Sequence, residues 1–426
     1  MTLPRTADVV IVGAGIGGLA AARELAARGV RRIVVLERDY PGSGATGRNV
    51  ARIRRMQLTE DLCRVAMACQ DKYERMGAEL RSNVLFYRLG YAWILYETDE
   101  VERMRDVVAM HARLGIRSAL LSSEDTLRHL PVFEGGEPVA GSVLSDDAIV
   151  HHDAVVWAHL DHLGRLGRLG SQDVTVHPHT RVTGIEREDS HVRTVLTDQG
   201  RIETPVVLNA AGGWSGELNA MAGVRMPNRP HRREVLVTAP LRRSIEAAVT
   251  FYRPSEGWFN QTLRGEVVMG AVDPDEPAGV NQRSSWAFLQ RTAALMTRKA
   301  PALRDVTVIR QWGGMYDITP DHLPIIGPTE QLEGWWQALG WSGRGMLLAP
   351  YLAELLADHL VRGEPPAMLR QFLPDRFPRT SDDAAPLETD YYSRYASGSR
   401  SGSTSAVAPP ASTTTSSGNT TSSPGA

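Results

Sequence analysis

Lysine is nearly missing from this chain. Of 47 basic residues in 426, only Lys72 and Lys299 are lysines, so chemistry that needs a side-chain amine has two candidates at most. Cysteine is as scarce. Cys63 and Cys69 are too few for a disulfide framework and too far apart for a CxxC redox or zinc pair, and they read as small buried residues of a helix. No metal site is expected. Neither sign of charge predominates: 47 basic against 49 acidic residues leave a net charge of -2, which removes the electrostatic basis for nucleic-acid binding and for an acidic solvating tail. No stretch approaches the ~20 uninterrupted apolar residues of a membrane span. The apolar run 9–22 is broken by Gly13, Gly15, Gly17 and Gly18 and preceded only by Arg5, the pattern of neither a signal peptide nor an anchor. A cytoplasmic protein is the expectation.

What is present is enough apolar sequence for a large core, with 42% hydrophobic residues in a chain long enough for two lobes. Residues 396–426 are Ala, Ser, Gly, Thr, Pro, Val and Asn with a single Arg400, which offers nothing to bury and predicts a disordered tail. A charged surface extension, 374–395, leads into it. The chain opens as strand (8–12), glycine turn (13–18), alanine-rich helix (19–28) and second strand (32–37), a βαβ unit. Strand-like runs recur at 206–209, 234–238, 267–272 and 335–339. Helical patterns occupy 59–76, 100–114, 153–163, 285–299 and 349–361. The alternation predicts an α/β protein whose second lobe carries a mixed sheet.

Gly13, Gly15 and Gly18 form a GxGxxG between a strand and a helix, the context in which the first glycine makes a tight turn, the second admits a pyrophosphate and the third lets helix and strand pack. Glu37, 19 residues after Gly18, ends the second strand where a carboxylate accepts from ribose hydroxyls. An acid there disfavours a 2′-phosphate, leaving FAD or NAD. Ser43 and Thr46, in a glycine-rich loop, can donate hydroxyls to the other side of the phosphates, although a polar turn has the same composition. Gly343 and Gly345 precede a helix, so that its N-terminus is clear of side chains and can stabilise negative charge. Arg48, Arg52, Arg54 and Arg55 form a charge cluster, and apart from Arg54 it reads as a solvated face.

The segments 42–49, 209–215, 312–327 and 340–350, in this order and spacing, resemble the D-amino-acid oxidase-like superfamily of FAD-dependent oxidoreductases, and within it the sarcosine oxidase beta-subunit group. The resemblance covers residues 7 to about 372. It implies a two-lobed flavoprotein with a Rossmann-like FAD-binding domain (1–84, 146–225 and 306–373) and a mixed-sheet substrate domain (85–145 and 226–305). It places Gly212 against FAD, Arg54 on the substrate carboxylate, Arg344 as a second cation, and Tyr252 on the substrate-facing sheet. His322 departs from the small residue usual at its position and reads as structural. Residues 149–158 resemble the segment that bears a flavin-linked histidine, so His152 is a candidate for a second flavin, FMN, at an interface with a partner subunit. A helix-cap histidine beside Asp153 is the simpler reading. Gly314 stands where monomeric sarcosine oxidases carry a flavin-linked cysteine, which implies non-covalent FAD.

The function implied is oxidation of the C–H bond beside the nitrogen of a secondary, N-alkyl or cyclic, amino acid, a small-molecule substrate. A primary amino acid (glycine-type) oxidase, a flavin monooxygenase using NAD(P)H and a partner-dependent flavin-housing subunit are the alternatives. Oxidases of this family place a lysine near the flavin; the matching positions here are Val268 and Leu347, and both lysines of the chain sit in predicted surface helices. Slow reaction with dioxygen and another electron acceptor are therefore expected.

Overall fold

The computed structural model describes residues 2–168, 173–252 and 257–377. The tail 396–426, and the extension 374–395 beyond residue 377, lie outside the described residues. Within them a six-stranded sheet runs in the order Ile325–Pro328, Trp335–Leu339, Val207–Asn209, Val9–Val12, Arg32–Leu36, Asp173–His177. Every neighbouring pair is parallel except Ile325–Pro328 with Trp335–Leu339. The central strands Val9–Val12 and Arg32–Leu36 are near-continuous apolar runs because both faces are covered, and period-two geometry divides their side chains between two cores. Val9, Ile11, Ile33 and Val35 pack toward the helices Ile16–Ala27, Glu60–Leu80 and Gly345–Arg362. Val10, Val34 and Leu36 face a three-stranded antiparallel meander, Val182–Glu188, His191–Thr197 and Gly200–Glu203.

A second sheet has eight strands, in the order Val308–Ile318, Arg229–Thr238, Val267–Gly270, Trp258–Gln261, Ala248–Phe251, Tyr91–Leu95, Ala140–Leu144, Ala119–Ser122. One face buries Ala92, Ile94, Val249, Phe251 and Phe259 beneath the helix Trp286–Lys299. The alternate residues Tyr91, Trp93, Thr250, Trp258 and Asn260 therefore share the opposite face, with Thr250 paired to both Trp93 and Trp258. Val308–Ile318 belongs to this sheet, pairing along its whole length with Arg229–Thr238. A short sheet of Arg52–Ile53, Ala148–Ile149 and Tyr87–Arg88 carries the chain from the glycine-rich loop to that free face.

Lys72 is not on the surface. Its Nζ lies 2.9 Å from Glu24 and 2.5 Å from Glu354, which ties together the three helices that cover the parallel sheet. Lys299 stacks over the Tyr96 ring. Cys63 and Cys69 are both buried in the helix Glu60–Leu80. No described helix is long and apolar enough to cross a membrane, and the described residues hold no cluster of His, Cys, Asp and Glu able to bind a metal.

Candidate active site

The turn after the first strand is forced by close approach. Gly13 has φ +111°, and a Cβ on it would stand 2.4 Å from the Ala210 carbonyl oxygen; one on Gly18 would stand 2.0 Å from the Gly13 carbonyl oxygen. Strand, turn and helix are thus locked together, as the spacing predicts. Gly15 differs, because the nearest atom to a Cβ there is Thr46 Oγ1 at 3.1 Å. That oxygen accepts from the Ile16 N–H (3.0 Å), so Thr46 caps the helix from another segment and keeps its own hydroxyl hydrogen to donate. Glu37 is held by two backbone donors: Ala14 N–H to Oε2 and Asp39 N–H to Oε1, both 3.0 Å. Each oxygen retains capacity to accept a ribose hydroxyl.

Gly13, Gly15, Glu37, Ser43, Thr46 and Gly212 line one end of a cavity of about 360 Å³. Gly212 has no atom within 4 Å of where a Cβ would stand. Gly18 is beneath the turn and serves packing. The middle wall is the loop 341–347, in which Gly343 is pressed against the Tyr316 ring, 2.2 Å from a hypothetical Cβ. Gly345, Met346 and Leu347, the first turn of the helix Gly345–Arg362, point that helix's positive end at the cavity. Arg344, just before the helix, is buried and lines the same wall, and its Nη2 donates to the His322 carbonyl oxygen. His322, at φ +56°, is buried and lines the cavity as well.

At the far end the cavity reaches the free face of the eight-stranded sheet. The four-arginine cluster is not a solvated face: Arg48, Arg52 and Arg54 line the cavity, and only Arg55 turns away, toward Asp146 and Asp147. In the strand Arg52–Ile53, Ile53 is fully buried, and the residues on either side of it share the other face. Arg54 stacks on Tyr91 (5.1 Å) and Trp93 (5.9 Å) and donates from Nη1 to the Met56 carbonyl oxygen (3.1 Å). Beneath this turn lies Asp147, whose Oδ1 accepts the Arg55 N–H at 2.8 Å; complete burial pushes its pKa up to about 6. Tyr252 does not line the cavity. It sits at the end of its strand, edge-on to Trp93 at 6.3 Å, and Tyr91 and Trp258 supply the aromatic wall instead. Both were missed in the sequence because only strand pairing shows which face each takes.

Three further residues carry no sequence signal of their own. Arg38 lies over the Trp214 ring at 3.9 Å beside Glu37. Arg233 also lines the cavity and stacks on Tyr316. Asp317, fully buried in the wall, accepts from Asn228 Nδ2 (2.7 Å), Ser215 Oγ (3.2 Å) and the Gly340 N–H (2.6 Å); burial outweighs these bonds and raises its pKa to about 6. Val268 is buried, Leu347 lines the cavity, and no lysine does. Gly314 lines it against Arg48. His152 is outside it, the first residue of the helix His152–Arg168, stacked on His151 at 5.0 Å with Nε2 3.6 Å from Asp153.

A glycine cradle, a fixed carboxylate and two helix N-termini on one cavity fit a flavin dinucleotide, and comparison with known proteins agrees. The sarcosine oxidase beta subunit of Rhizobium meliloti is 30% identical over 380 residues, 87% of this chain and 88% of that one. The glycine oxidase of Pseudomonas aeruginosa is 27% identical over 368 residues, 84% of this chain and 95% of its own. Among solved structures, the L-proline dehydrogenase of P. horikoshii superposes with a TM-score of 0.79 at 27% identity, covering 88% of this chain and 98% of the other. The family model described as FAD dependent oxidoreductase matches residues 8–359, and the chain belongs to that family.

Proposed function

We propose that this protein is an FAD-dependent amine and amino-acid oxidoreductase whose substrate is a secondary amino acid, N-alkyl or cyclic. The observation that carries the reading is the continuity of one cavity, from the glycine cradle to the Arg54 guanidinium lying against the Tyr91 and Trp93 rings. FAD, when bound, supplies the hydride acceptor. The carbon beside the nitrogen gives up a hydride, the nitrogen gives up a proton to water, and water adds across the resulting C=N bond to yield an amine and a carbonyl compound. Arg54 binds the substrate carboxylate as a fork, which fixes the reacting carbon. Arg344 and the N-terminus of the helix Gly345–Arg362 hold positive charge on the cavity wall, which would favour the negative charge of a reduced flavin bound there. No protein base is needed if the amine binds neutral.

The cofactor domain is proposed to comprise 1–84, 146–225 and 306–373, and the substrate domain 85–145 and 226–305, with Val308–Ile318 as the strand shared between them. FAD is held without a covalent bond, a reading supported by the position of both cysteines outside the cavity lining. The likeness to a chain named as a subunit supports a partner subunit or partner electron acceptor, and His152 stays the candidate for FMN at such an interface. Anaerobic titration of the flavin absorbance with sarcosine, N-ethylglycine, proline, glycine, NADH and NADPH, using the chain purified alone, tests the reading. Bleaching by the secondary amino acids supports it. Bleaching only by NAD(P)H would establish the monooxygenase alternative, and bleaching by glycine alone the primary amino acid oxidase.

A further inference from the structure

Arg52 is not used in the reaction as derived so far, yet it is among the most closely fixed side chains on the cavity wall. Its Nε donates to Asn260 Oδ1 (3.2 Å) and its Nη1 to Thr250 Oγ1 (3.0 Å), and its guanidinium lies over the Trp258 ring at 4.7 Å. Thr250 is in turn fixed by the Tyr91 hydroxyl at 2.5 Å. Tyr91 is the centre of the arrangement. The Arg52 and Arg54 guanidinium carbons lie 5.9 and 5.1 Å from the same Tyr91 ring centroid, so the two forks can be no farther apart than those distances laid end to end. Both stand on one side of the strand that Ile53 anchors from the other, and both line the cavity.

Two oriented guanidiniums over one aromatic ring match a ligand with two planar anions. Arg233 adds a third positive charge to the same wall. Fixing by stacking and by neutral acceptors removes the rotamer entropy that an arginine otherwise loses on binding a carboxylate. On the reading of this site as a secondary amino acid oxidoreductase, we infer that its substrate is a dicarboxylic secondary amine, an N-(carboxyalkyl) amino acid. Arg54 takes the carboxylate next to the reacting carbon, and Arg52 the carboxylate on the other nitrogen substituent. Arg52 is then the residue that sets specificity. Oxidation of such a substrate releases an amino acid and a carbonyl acid, with the electron and proton balance given above.

The test compares iminodiacetate with N-ethylglycine, of similar length but one carboxylate, in anaerobic titrations of the full-chain holoenzyme. Iminodiacetate should bind on the order of 10- to 100-fold more tightly, the worth of one charge-assisted hydrogen-bonded contact. Arg52→Gln should remove that preference by weakening iminodiacetate alone, with FAD content unchanged, and Arg52→Lys should restore part of it. Equal affinity of the wild-type protein for the two ligands would overturn the inference without any variant, so the outcome does not depend on whether Arg52→Gln folds. Equal weakening of both ligands by Arg52→Gln would overturn it too, as the mark of a merely structural arginine. A flavin bleached by both ligands at equal affinity leaves the oxidation reading standing, whereas a flavin bleached by neither removes both.

Discussion

The two ends of the cavity are built from different materials. At the dinucleotide end the working groups are backbone amides, and side chains are conspicuous by their removal: Gly13, Gly15 and Gly212 leave the main chain bare, and Glu37 is pinned by two N–H groups. At the substrate end the backbone recedes into sheet, and long side chains do the work, with Arg52, Arg54, Tyr91 and Trp258 converging from three stretches of sequence. A backbone site depends on side chains that are not there, so an added Cβ at Gly13 or Gly18 collides with main chain. A side-chain site tolerates substitution in the fold and loses its chemistry.

The sharpest way to break this contrast is within the glycines themselves. Gly18→Ala puts a methyl against the Gly13 carbonyl oxygen, 2.0 Å away, and should abolish FAD binding together with the cooperative unfolding transition. Gly15→Val meets only a hydroxyl, so it should yield colourless apoprotein whose circular dichroism stays native. If that variant purifies with full flavin, the cradle is elsewhere.

Next in size is the substrate end. Arg54→Ala should leave the flavin-to-protein ratio unchanged while raising KM for a carboxylated substrate by roughly 30-fold, about 2 kcal/mol for a charge-assisted bond. Loss of flavin in this variant would mean that the two ends are not separable. The same wall lacks a lysine, so substrate-reduced protein mixed with aerated buffer should reoxidise at least roughly tenfold more slowly than it is reduced. Stoichiometric hydrogen peroxide formed as fast as reduction would refute this.

The smallest effect probes the wall between the ends. Asp317, raised by burial to about 6, holds a proton in the native state between about pH 4 and 6 that the unfolded chain has released. Its contribution to stability therefore falls as pH rises through that window and stays low above it. Asp317→Asn removes the titration, so urea midpoints of variant minus wild type should increase from pH 4 to pH 7, by on the order of 2 kcal/mol in stability. A constant difference would show that the carboxyl titrates normally.

The same contrast explains what could be read without coordinates. The βαβ start, the strand Trp335–Leu339 and the five main helices were legible, because each is a local periodicity or a glycine constraint. The meander Val182–Glu188 to Gly200–Glu203 was not, since its strands are only half buried and their alternation is diluted by exposed charge. Resemblance identifies Arg54, but composition alone reads Arg48 and Arg52 as solvated surface. A two-residue strand has no periodicity to reveal that its neighbours share a face with Tyr91, some forty positions away. Lys72 misled for a related reason: its partners Glu24 and Glu354 are remote in sequence, and a lone lysine in an amphipathic helix reads as exposed.

The Lys72 knot has a consequence for how the protein is made. It joins the helix Ile16–Ala27 to the helix Gly345–Arg362, and the parallel sheet beneath takes strands from near residue 10 and near residue 335. On the ribosome the glycine turn emerges early, but the wall that closes it is translated more than three hundred residues later. A growing chain therefore presents a half-built nucleotide cradle for most of its synthesis, with edge strands awaiting late partners. Flavin capture should therefore be confined to the end of translation or after it. Production of holoprotein should then respond to the supply of FAD during the last stage of folding, and truncation anywhere before the helix Gly345–Arg362 should leave a chain that cannot retain the cofactor.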